Sequence, residues 1–139
     1  MYYELSSFNS SNPVIGVLSV PVTELINQKS HSNIRSYIDS NYIKWLQSEG
    51  AKVVIIHFDW SLEKTYRVLQ QLNGVLLTGG SVRLRYDHDF YQYLKSFNLI
   101  YQYALSRKDY PIWSTCLAFE IILLLQRYNY QTIFNSNIN

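Results

Sequence analysis

Charge of either sign is scarce in this chain of 139 residues: 12 Lys and Arg stand against 10 Asp and Glu, charged residues make up 16%, and the formal net charge is +2. No basic cluster exists that could displace many counterions from phosphates, so a nucleic-acid partner is not expected. There is one cysteine, which excludes an intrachain disulfide framework and a multi-thiolate zinc site, and leaves either a buried thiol or a reactive one. No residue pattern points to a metal or to a cofactor. The longest uninterrupted apolar stretch, Ile121 to Leu125, has five residues, far short of the roughly 20 that cross a bilayer; no membrane is expected as partner. The opening residues Met1 to Ser7 lack the basic and apolar regions of a secretory signal. What the chain does have is an apolar fraction of 47% and 13 tyrosines, whose hydroxyls join Ser, Asn and Gln in supplying polar surface. Its length suits one ordinary domain.

The apolar pattern alternates between strand-like and helix-like segments. Val14 to Val20, between Pro13 and Pro21, is a short apolar run that reads as a buried strand. Ile34, Tyr37, Ile38, Tyr42, Trp45 and Leu46 then fall on one face of a helix spanning 34–49, stopped by Gly50. The β-branched run 51–56 reads as strand two. Ser61 suits the N-cap of a helix carrying Leu62, Tyr66, Leu69 and Leu72, which Asn73 and Gly74 end. Val75 to Thr78 reads as strand three, stopped by Gly79 and Gly80. Phe90, Tyr93, Leu94, Phe97, Tyr101 and Ala104 mark a long third helix, and 111–115 is strand four. Such alternation predicts βαβ crossovers and an α/β fold: a parallel sheet with helices on both faces, in flavodoxin-like order. The strands are apolar throughout, as burial on two sides demands.

Ligand chemistry in such sheets gathers at the carboxyl ends of the strands. That rule selects Gly79, Gly80 and Cys116. Cys116 lies between a strand and the apolar helix starting at Leu117, the setting of a nucleophile elbow. There a thiol meets the positive end of the helix dipole, which favours thiolate. The Leu117 N–H and the glycine turn after strand three are placed to receive a developing oxyanion. The same cysteine could instead be a small buried hydrophobe.

Four blocks carry a resemblance: Pro13 to Leu18, Tyr42 to Val54, Asn73 to Gly80 and Pro111 to Glu120 are similar, in order and spacing, to the gamma-glutamyl hydrolase family. The resemblance runs from about residue 13 to 125. It implies a class I glutamine amidotransferase-like fold and hydrolysis of gamma-linked glutamate tails, chiefly of folate polyglutamates, by a cysteine peptidase. By it, Cys116 stands at the nucleophile, Leu117 with Gly79 and Gly80 at the oxyanion hole, and Glu120 at a substrate-binding glutamate of the active-site helix. The implied partner is a small-molecule substrate, folate poly-gamma-glutamate, and a homodimer is left open. The implied units are a tail at 1–12, a partial hydrolase domain at 13–127 and a divergent tail at 128–139.

Three departures accompany the resemblance. The family elbow reads Gly-Thr-Cys-Leu-Gly-Phe-Glu, whereas Ser114 and Ala118 replace its two glycines here. The family's catalytic His and its acidic partner come from a later part of the chain, while all three histidines here precede Cys116; the domain is thus expected to be truncated after the nucleophile helix, with impaired turnover. Finally, family members enter the route to lysosome, vacuole or exterior, and without a visible signal the cytoplasm is the alternative. The Asn9-Ser10-Ser11 sequon would be used only in a secretory compartment. Of the histidines, His57 is expected about three strand spacings from Cys116, His88 at the start of helix three, and His31 in a solvated loop. Arg83 and Arg85 could meet a substrate carboxylate but read first as a solvated pair.

Overall fold

A computed structural model describes residues 12–22, 34–80 and 88–128. The elements are β1 (Val14–Leu18), β2 (Val20–Pro21), β3 (Ser36–Tyr37), α1 (Ser40–Ser48), β4 (Lys52–Ile56), α2 (Leu62–Leu69), β5 (Gly74–Leu77), α3 (His88–Leu105), β6 (Ile112–Ser114) and α4 (Leu117–Arg127). Four strands form a parallel sheet in the order β4-β1-β5-β6. This is the expected flavodoxin-like order, with successive strands added first on one side of β1 and then on the other. The α/β class inferred from the alternation therefore holds.

The registers sort side chains onto two faces. Leu18 stands beside Ile56 and Leu77, and Val75 beside Ile112; these residues join α2, α3 and α4 in one core cluster. Phe97, Ile100, Leu69 and Ala118 have no exposure there. The alternate positions Val17, Ile55, Leu76 and Trp113 point to the opposite face, where α1 lies. No residue of α1 is buried. Its Trp45 meets Trp113 edge to face, with ring centroids 6.4 Å apart.

Three boundaries differ from the sequence pattern. β1 stops at Leu18; the Ser19 Oγ turns inward to accept the Phe58 N–H at 3.1 Å, and Val20–Pro21 pairs antiparallel with Ser36–Tyr37. The first helix starts at Ser40, not at 34, because 36–37 is committed to that ribbon and the Asp39 carboxylate caps the helix through the Asn41 N–H at 2.8 Å. The second helix ends at Leu69, and Gly74 opens β5 instead of terminating a helix. By contrast, Ser61 caps α2 through the Lys64 N–H at 3.2 Å, and all six residues of the third helical stripe are buried on α3.

Candidate active site

The site forms where β6 ends. The Thr115 N–H donates to the Leu77 carbonyl at 3.1 Å, extending the β5–β6 ladder by one rung. The chain then reverses at Cys116, whose φ of 51° and ψ of −121° make it the one non-glycine residue with positive φ among the described residues. Such a conformation costs an L-residue about 1–3 kcal/mol and persists only where surrounding structure over-determines it. Here the flanks do so. The Ala118 N–H donates to the Thr115 carbonyl at 3.1 Å and the Glu120 N–H to the Cys116 carbonyl at 3.2 Å, while the Leu117 and Ala118 side chains are sunk in the core. The strain presents the Cys116 thiol outward, and the residue is exposed.

The end of β5 supplies the other wall. A Cβ on Gly79 would stand 2.8 Å from the Cys116 Cβ and 3.4 Å from its Sγ, so only glycine lets the two turns approach this closely. A Cβ on Gly80 would stand 2.8 Å from Val20 Cγ1 and 3.0 Å from Tyr37 Oη. The Leu117 N–H, first of α4, has no acceptor among the described residues, as expected of a helix-initial donor. Glu120 is exposed in the first turn of α4. The structure thus brings Cys116, Leu117, Gly79 and Gly80 to one end of the sheet, with Glu120 one turn along the helix.

Sequence reasoning missed Tyr42. Its hydroxyl shares a 2.9 Å hydrogen bond with Thr115 Oγ1 and lies 3.4 Å from where a Gly79 Cβ would be. It therefore braces the residue before the elbow from α1. The helical stripe flagged Tyr42 only as apolar surface, and no local signal reveals a partner 73 residues away.

His57 follows β4, and the strand order places it three spacings, about 14 Å, from β6. Its ring packs against Trp60 at 5.3 Å. His88 begins α3, exposed, with Nδ1 3.5 Å from Asp89 Oδ1. Among the described residues no imidazole is hydrogen-bonded to the Cys116 thiol. His31, Arg83 and Arg85 lie outside the described residues. Among those described, no group of three or more His, Cys, Asp or Glu side chains gathers to hold a metal, and no helix is long and apolar enough to cross a membrane.

Comparison with known proteins adds an independent finding. A family model described as Peptidase C26 matches residues 13–126. Gamma-glutamyl hydrolase B of Dictyostelium discoideum is 36% identical over 132 residues, which cover 92% of this chain and 36% of that protein. The gamma-glutamyl hydrolase of Homo sapiens is 34% identical over 130 residues, covering 86% of this chain and 39% of that protein. Gamma-glutamyl hydrolase 1 of Arabidopsis thaliana is 29% identical over 117 residues, covering 81% and 32%. The chain spans about a third to two-fifths of the length of these curated relatives.

Proposed function

The chain belongs to the Peptidase C26 family, and from that premise we propose that it is a gamma-glutamyl hydrolase-type cysteine peptidase unit, residues 13–127, acting on folate polyglutamates. The observation that carries the reading is the backbone of Cys116, an exposed thiol held at φ 51° between a strand end and a helix start. In this reading the Cys116 sulfur attacks the γ-carbonyl carbon of a glutamyl unit. The resulting oxyanion takes hydrogen bonds from the Leu117 N–H and from the Gly79-Gly80 turn. Collapse of that intermediate forms a thioester and releases the α-amine of the next unit, and water then frees the acyl group. Glu120 faces the substrate from the first turn of α4. Lysosome, vacuole or exterior is the compartment this reading implies, with the cytoplasm as alternative.

The departing amine needs a proton, and missing general acid–base assistance costs a factor of about 10² to 10⁴ in rate. One observation therefore favours a second reading, a binding unit without turnover: no imidazole is bonded to Cys116 among the described residues. A single experiment separates the two. The purified chain is incubated with a folate carrying a γ-linked glutamate tail, and released glutamate is followed by mass spectrometry. Release that disappears in Cys116→Ala supports the peptidase; saturable binding with no release supports the second reading. Release that survives the substitution would falsify the assignment of Cys116.

A further inference from the structure

Beside the carboxyl ends of β1 and β4 lies a cleft of about 510 Å³. One wall is a stripe of α1, where Ser40, Lys44 and Gln47 recur at helical spacing. Facing it are Ile55 and His57 at the end of β4. Among the described residues no Asp or Glu lines the cleft, although the chain as a whole is nearly balanced in charge. Lys44 has no ion-pair partner among the described residues. A concave surface with an apolar floor, hydroxyl and amide donors and one unpaired ammonium suits a flexible organic anion.

One side chain, that of Tyr37, joins the Cys116 turn to the cleft. Tyr37 lines it, and the Tyr37 hydroxyl reaches to within 3.0 Å of the Gly80 Cβ position, while the adjacent Gly79 abuts Cys116. β1 and β4 lie two and three strands from β6, or about 10–14 Å at the usual strand spacing. A γ-linked glutamyl unit adds five backbone bonds, about 6 Å when extended, so that span corresponds to about two units.

Resting on the reading of the chain as a γ-glutamyl-specific unit, we propose that this cleft binds the poly-γ-glutamyl tail about two units from the bond held at Cys116. Lys44 pairs there with an α-carboxylate and is the specificity-determining residue for tail length.

The test is calorimetric titration of the full chain carrying Cys116→Ala, so that binding is read without turnover. The probes are γ-glutamylglutamate, γ-linked pentaglutamate and α-linked pentaglutamate. The γ-linked pentamer is expected to bind more tightly than the dimer. Adding Lys44→Gln should weaken the γ-linked pentamer by about fivefold and leave the dimer unchanged, and Lys44→Arg should restore the pentamer. Lys44 is exposed on α1, and an unchanged melting curve verifies that each variant is folded. Equal pentamer affinity with and without the Lys44 ammonium overturns the proposal. So does an equal loss for the α-linked pentamer, which would reduce the effect to general charge attraction, and so does absence of pentamer binding. Failure of the hydrolysis assay in a chain that still binds γ-linked tails through Lys44 would remove the peptidase reading and leave the cleft standing.

Discussion

At Cys116 the backbone conformation and the chemistry pull in different directions. The φ of 51° is one that glycine adopts freely and an L-residue adopts at a cost. A side chain is kept there at the expense of stability, which is the expected signature of a position selected for what the side chain presents. This reverses an ordinary ranking: in regular structure glycine is less stable than alanine by roughly 0.5–1 kcal/mol. At position 116 Cys116→Gly should be the more stable of the pair by about 1 kcal/mol, although both lack the thiol. Urea unfolding of the two variants checks this, and an alanine variant as stable as the glycine one would mean that the turn relaxes once sulfur is gone. The neighbouring Gly79 was legible as a turn residue but not as a spacer. Its role follows from the 2.8 Å separation between its missing Cβ and Cys116, a contact made only when β5 and β6 lie side by side.

At the scale of elements, legibility followed the depth of burial. α3 packs its stripe into the core, so its periodicity in the sequence and its buried residues coincide from Phe90 to Ala104. α1 buries nothing fully, and its pattern bled into Ile34 to Ile38, where two residues make ribbon pairs with β2. Pairing partners of that kind are invisible to a window along the chain. The aromatic packing of α3 also sets a pH response. Tyr93 is raised well above its ordinary 10.0, first by burial and then by Tyr37 nearby. Tyr110, which donates to the Leu69 carbonyl at 3.1 Å, is raised mainly by burial and further by Tyr103, against a lowering by Arg107. Below pH 10 both phenols are neutral in the folded and the unfolded chain. Above it the unfolded chain gives up protons that the folded chain keeps, so stability falls as pH rises. Urea midpoints should therefore hold steady over roughly pH 7 to 9 and decline from about pH 10. Tyr110→Phe should flatten that decline and also cost the bond that ties the segment before β6 to the end of α2. A midpoint independent of pH up to about pH 11 would contradict the buried-phenol account.

For the molecule as a whole, the two faces of the sheet are unequal. α2, α3 and α4 cover one face with residues that have essentially no exposure, among them Phe97, Ile100, Leu69 and Ala118. On the other, α1 is the helix present among the described residues, and Trp45 and Trp113 stay 48% and 63% exposed. Val17 and Leu76 are buried on the α1 side too, but the larger cluster lies under α3, so most of the stability should reside on the α3 side, while the α1 side carries Tyr42, the brace at Thr115, and the Lys44 cleft. This division puts the proposed tail-binding cleft on the less deeply packed face, where side chains can change without emptying the core. Two large aromatics separate the contributions. Phe97→Ala leaves a cavity among fully buried neighbours and should cost about 3–5 kcal/mol. Trp113→Ala removes a side chain that is already mostly in water, together with its edge-to-face pair with Trp45, and should cost under about 1.5 kcal/mol. Equilibrium denaturation of both variants measures the difference directly. Comparable losses would show that the α1 face contributes to the cooperative core, and the assignment of α1 to function more than to stability would have to be abandoned.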